Sequence, residues 1–130
     1  MILKHRHLII RAEGSFAHDT EEQLTEWMTG LVDHLQMKLL IKPQSVFLDV
    51  EGNRGWTSIC AIETSSITFH SWTEHFPYLT QLDIYSCKDF DLMETLRKIQ
   101  KDFKTSKLDY KFIDRDKNLE EFAGGFLTKY

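Results

Sequence analysis

The spacing of apolar and polar residues changes several times along this chain, and each change marks an element. Residues 5–12 are β-branched and apolar enough for a strand that ends near Gly14. Thr20-Glu21-Glu22-Gln23 then has the form of a capping box, with a hydroxyl for an orphan N–H and acids at the positive end of the helix dipole. Leu24, Trp27, Met28, Leu31 and Leu35 follow at helical spacing, which predicts an amphipathic helix over 20–37. Pro43 closes the connection after it. Strands are expected over 46–50, 56–63, 66–72 and 81–87, with a two-glycine turn at 51–55 and a loop at 75–78. Asp91-Leu92-Met93-Glu94 repeats the capping pattern, and Leu92, Leu96, Ile99 and Phe103 predict a second helix. Residues 108–113 read as a last strand, and the tail from Asp114 as polar, then glycine-rich at Gly124-Gly125.

The order is therefore strand, helix, a run of strands, helix, strand. Strands joined by short turns make an antiparallel sheet, and two helices can cover only one of its faces. The expected fold class is α+β, a two-layer sandwich with both helices on one face of an antiparallel sheet. Its other face must be polar or covered, so a homodimer is expected. The length of 130 residues suits a single domain, 1–130, with a core that needs no staples.

Composition narrows the class. Hydrophobic residues make up 42% and charged residues 28%, ordinary values for a globular protein. The net charge of −4 argues against nucleic acid as a partner, because phosphate affinity needs clustered Lys and Arg. Lys98, Lys101, Lys104 and Lys107 are interleaved with Asp102 and read as a solvated helix face. No apolar run approaches the ~20 residues of a membrane span, and the N-terminus is charged too early for a secretory leader, so a cytoplasmic location is expected. Cys60 and Cys87 read as free thiols. His5 and His7 share a strand face but lack a third ligand with convincing spacing, so no metal is expected.

The chemistry concentrates in Thr64-Ser65-Ser66-Ile67-Thr68-Phe69-His70-Ser71-Trp72-Thr73-Glu74 and in Asp83-Ile84-Tyr85-Ser86-Cys87. A hydroxyl, an imidazole, a carboxylate and a thiol stand there among bulky apolar neighbours. The arrangement resembles the self-processing region of the pyruvoyl-dependent S-adenosylmethionine decarboxylases in their short prokaryotic and phage-type form. That family reads Glu-Ser-His, then His-Thr-Trp-Pro-Glu, then a strand ending in Thr-Cys-Gly. The corresponding runs here are Thr64-Ser65-Ser66, His70-Ser71-Trp72-Thr73-Glu74 and Ser86-Cys87-Lys88, with Gly55-Trp56-Thr57 upstream.

The resemblance implies a role for each matched residue. Ser65 would attack the carbonyl of Thr64 and become the pyruvoyl cofactor after chain cleavage between 64 and 65. His70 would be the processing base and Thr57 the support for the tetrahedral intermediate. These are the residue types that such steps require: a nucleophilic hydroxyl, an oxyanion donor and a base titrating near neutrality. The resulting ketone would form a Schiff base with the substrate amine. Cys87 would reprotonate the substrate carbon, and Glu74 would hold the ribose hydroxyls of S-adenosylmethionine. The product would be the aminopropyl donor for spermidine synthesis, made by a dimer of cleaved protomers.

Four features depart from the family pattern. Thr64 replaces a glutamate before the scissile bond, and Ser66 replaces a histidine. Lys88 stands where glycine follows the cysteine. Glu51 falls at the substrate-binding position of an adenine-stacking phenylalanine, where a carboxylate cannot stack; Phe47 and Trp56 are the nearby aromatic alternatives. Glu51 could instead suit a cationic substrate, so decarboxylation of ornithine or arginine is the rival activity. An unprocessed relative that binds a ligand or a catalytic partner is the rival of another class.

Overall fold

Alternation of closed and open positions along each strand decides the architecture. In the computed structural model, which describes residues 4–129, the chain runs β1 (Arg6–Gly14), α1 (Glu21–His34), β2 (Leu39–Leu48), β3 (Gly55–Ile62), β4 (Ser65–Trp72), β5 (Tyr78–Ser86), α2 (Leu92–Phe103), β6 (Thr105–Asp114) and β7 (Glu121–Leu127). The strands form one antiparallel sheet in the order β2-β3-β4-β5-β1-β6-β7. The first strand is interior: the meander β2 to β5 folds back to pair with one side of it, and α2 carries the chain over to pair β6 with the other. This is the expected α+β arrangement of a sheet and two helices.

The core lies between one sheet face and the apolar faces of both helices. Leu8, Ile10 and Ala12 of β1, Cys60 and Ile62 of β3, Ile67 and Phe69 of β4, and Leu82 and Ile84 of β5 are buried there. They meet Leu24, Met28, Leu31 and Val32 of α1 and Leu96, Ile99 and Phe103 of α2. Both expected caps form: Gln23 N–H donates to Thr20 Oγ1 at 3.1 Å, and Glu94 N–H donates to Asp91 Oδ1 at 2.9 Å. Each is worth about 1 kcal/mol of helix stability. The indole of Trp27 ties the helices together by donating to Asp102 at 2.8 Å.

Strands β5 and β6 each begin three residues earlier than the sequence suggests, and three further differences have a local reason. Helix α1 stops at His34, because Gln36 takes a left-handed backbone at φ 58. Strand β2 begins at Leu39 and runs through Pro43, which an edge strand tolerates because one side of it donates to no neighbour; the register slips between Ile41 and Gln44. The tail contains β7, an edge strand that rests only Ala123 and Leu127 against the core. Two inward residues and two glycines leave almost no alternation to read.

The outer face carries the opposite positions of every strand. Ile9, Val46, Leu48 and Ile59 are exposed on it, around Thr57, Thr68, His70, Asp83 and Tyr85.

Candidate active site

Two groups of polar residues stand on this frame, one at a rim of the sheet and one on its outer face. The rim group forms where β3 turns into β4. Ile62 pairs with Ser65, so Glu63 and Thr64 are the whole turn. A turn this tight forces Thr64 to φ 53, a left-handed conformation that β-branched residues rarely adopt and that costs about 1–2 kcal/mol. The carbonyl of that strained residue precedes Ser65. Ser65 Oγ accepts a hydrogen bond of 2.8 Å from the Cys87 N–H, at the end of β5.

Cys87 completes the group. Thr64 Oγ1 lies 2.9 Å from Cys87 Sγ and 2.8 Å from the Glu63 carbonyl, which Cys87 Sγ itself approaches to 3.4 Å. The hydroxyls of Thr64 and Ser65, with the charge of Lys88, hold the Cys87 thiol below the ordinary range. Cys60 shows the opposite environment: buried in the core, its thiol is pushed up to about 11. Both thiols are free. Lys88 needs no glycine conformation, since its φ is not positive, and Ser86 Oγ holds the turn by accepting from the Lys88 N–H at 2.9 Å. Met37 and Lys38 close the recess over Ser65.

The outer-face group is a cross-strand pair. Thr57 of β3 stands opposite His70 of β4, and Thr57 Oγ1 lies 3.0 Å from His70 Nδ1. Two residues beyond His70 is Trp72, whose indole donates to Asn53 Oδ1 at 2.8 Å. Glu74 follows, and both of its oxygens are engaged: Oε1 with Arg54 Nη1 at 2.6 Å and Oε2 with the Gly52 N–H at 2.8 Å. Arg54 also reaches Asp49 at 2.6 Å. A carboxylate accepts about four hydrogen bonds, so Glu74 keeps capacity for a ligand's hydroxyls. Gly52, Arg54, Trp72, Glu74 and Leu79 enclose a recess of about 230 Å³. Glu51 sits exposed on the neighbouring turn and has no hydrogen bond or ion pair among the described residues.

The chain thus joins Ser65 to Cys87 and Thr57 to His70, but it does not join one pair to the other. Ser65 and His70 are five positions apart on β4. At about 3.4 Å per residue that is roughly 17 Å, and an odd spacing sends the two side chains to opposite faces. No rotamer closes such a gap.

Sequence reasoning did not single out Arg54 or the residues between the two groups. Arg54 had a signal in its turn with two glycines. Trp72 stood inside the quoted His70–Glu74 run. On the outer face, His7 Nε2 lies 2.7 Å from Asp83 Oδ1, and His5 Nδ1 lies 2.8 Å from the Tyr85 hydroxyl. The His7 contact holds the Asp83 carboxyl below the usual carboxylate range. Both histidines are therefore engaged, and no group of three metal-ligating side chains occurs among the described residues. No helix among them is long and apolar enough to cross a membrane.

A model of the S-adenosylmethionine decarboxylase family matches residues 6–116. The chain belongs to the S-adenosylmethionine decarboxylase family. No curated protein matches it in sequence. The matched span runs from the first residue of β1 to just past β6, so it includes Thr57, Ser65, His70, Glu74 and Cys87 and leaves β7 outside. Membership supports decarboxylase-type activity within polyamine biosynthesis.

Proposed function

We propose that this member of the S-adenosylmethionine decarboxylase family is a self-processing, pyruvoyl-dependent enzyme that acts on S-adenosylmethionine as a homodimer and supplies the aminopropyl donor for spermidine. The observation that carries this reading is the rim group, in which Ser65 Oγ accepts from the Cys87 N–H and the hydroxyl of the strained Thr64 lies 2.9 Å from Cys87 Sγ.

Those residues fit a pyruvoyl group made from the chain. Ser65 Oγ attacks the Thr64 carbonyl carbon, the C–N bond breaks, and the amide becomes an ester with a free amine on residue 65. The residue whose carbonyl is attacked is the one held in the left-handed conformation, a strained backbone of the kind found at reactive sites. A base then takes the α-proton of residue 65. The ester leaves as the carboxylate of Thr64, and hydrolysis of the remaining dehydroalanine releases ammonia and leaves a ketone.

His70 supplies the base, with Thr57 holding its ring at 3.0 Å. Because His70 cannot reach Ser65 of its own chain, the base comes from a second copy that meets both the outer face and the rim at Ser65. The exposed Ile9, Val46, Leu48 and Ile59 give that face the apolar surface a partner would bury.

When present, the pyruvoyl ketone accepts the electrons released as a carboxylate leaves an amino acid. The remaining work belongs to side chains of this protein. Cys87, with its thiol near the Ser65 position, returns a proton to substrate carbon. Glu74 receives the ribose hydroxyls, and Arg54 fixes its orientation. The Trp72 ring beside Glu74 offers an aromatic wall in the place where Glu51 cannot stack.

The test is release of labelled carbon dioxide from carboxyl-labelled S-adenosylmethionine by wild-type protein and by Cys87→Ala. Turnover by the wild type that collapses in the variant is expected. Release from ornithine or arginine in its place would assign the rival substrate, and no release from any of the three would leave only a binding role.

A further inference from the structure

A cavity of about 670 Å³ lies away from both Ser65 and His70. It opens where α2 ends and β6 begins, beside the loop between β4 and β5, and its size suits a small-molecule ligand. Lys101, Lys104 and Lys129 line it, from two separate segments of the chain, and no acidic residue does. None of the three has an ion-pair partner among the described residues, in a protein whose net charge is −4. Like charges gathered at one opening repel one another and set up a positive potential there.

A second observation is independent of charge. Thr105 also lines the cavity, and its hydroxyl is buried without a hydrogen-bond partner. Buried hydroxyls are normally paired, so an orphan in a cavity wall is a group waiting for a partner. Across the opening, Phe76 and Pro77 present apolar surface, and Phe76 is 71% exposed.

We infer that this cavity binds a phosphorylated aromatic small molecule of nucleotide size. Three lysines match a phosphate, which carries about −1.5 to −2 charges, better than a single carboxylate. Turned toward the opening, the buried Thr105 hydroxyl can donate to a phosphate oxygen, and Phe76 offers a ring for stacking. The site is separate from Ser65 and His70, although it borders the Glu74 recess at Pro77.

Uridine monophosphate is a suitable probe, because it lacks the adenine of S-adenosylmethionine. Calorimetric titrations would compare it with uridine and with inorganic phosphate, in low and in high salt. The expected result is saturable binding about tenfold or more tighter than either half alone, weakened by salt. The exposed double variant K104Q/K129Q should lose about tenfold in affinity, and the near-isosteric Thr105→Val a smaller factor. Amide NMR signals should shift at Lys104–Ser106 and Phe76 rather than at Ser65 or Cys87. No saturable binding at millimolar concentration would overturn the inference. So would binding that K104Q/K129Q leaves unchanged, or shifts confined to the Ser65 rim.

Discussion

If His70 acts on the Ser65 of another copy, two inactive variants should rescue each other. Ser65→Ala lacks the nucleophile but keeps the base; His70→Ala keeps the nucleophile and lacks the base. Proton abstraction needs heavy atoms about 3 Å apart, whereas the spacing along β4 sets Ser65 and His70 of one chain roughly 17 Å apart. Each variant alone should therefore stay uncleaved. Equal co-expression should produce two-fold dimers of which about half are mixed, and each mixed dimer holds one complete pair. About half of the His70→Ala chains, and none of the Ser65→Ala chains, should then be cut. Tagging the two variants differently lets a denaturing gel count each population. Cleavage of His70→Ala alone at the wild-type rate would remove His70 as the base. Mixed dimers, verified by co-purification, that stay uncut would show that the two groups are not brought together across the interface.

Further outcomes follow from the same geometry. Only the thiolate reacts with iodoacetamide, so Cys87, held below the ordinary thiol range by the Thr64 and Ser65 hydroxyls, should be alkylated at a lower pH than Cys60. Cys60, pushed up to about 11, should stay unmodified at pH 8; peptide mass mapping separates the two, and equal labelling would contradict the assigned environments. The Asp83 carboxyl is depressed by His7 in the folded state. Its contribution to stability is thus complete above the unfolded value near ~3.9 and is lost as pH falls through the lower folded value. Urea midpoints for Asp83→Asn should accordingly vary less with pH across that acid window than those of the wild type, and identical slopes would refute the coupling. Ile59→Lys places a charge on the outer face, where Ile59 is 50% exposed. It should leave the circular dichroism spectrum intact while moving the protein to monomer on gel filtration and stopping cleavage; a cleaved monomer would exclude the proposed interface.

Much of the fold was legible because it rests on local signals. The capping residues Thr20 and Asp91 and the helical spacing of Leu24 to Leu35 and of Leu92 to Phe103 all act within one or two turns of chain. Strand β7 was not legible, since Phe122 and Phe126 lie exposed and Gly124 and Gly125 pack little. In β2, Pro43 reads as a breaker, and only its edge position makes it tolerable. The site was legible as a set of residue types and not as an arrangement. Thr57 and His70 meet because the β3–β4 register is fixed by the turn at Glu63 and Thr64. The same strand periodicity separates Ser65 from His70, a consequence that the odd spacing already contained. The strain at Thr64 depends on how short that turn is. The engagement of Glu74 by Arg54 depends on two loops distant in sequence, so neither shows in the order of residues.

Intact-mass measurement of freshly purified wild-type protein beside Ser65→Ala tests the central claim most directly. Self-processing predicts two fragments parted between Thr64 and Ser65, the second blocked at its N-terminus, with the variant remaining whole. A single wild-type chain of 15.4 kDa that persists through prolonged incubation would contradict it.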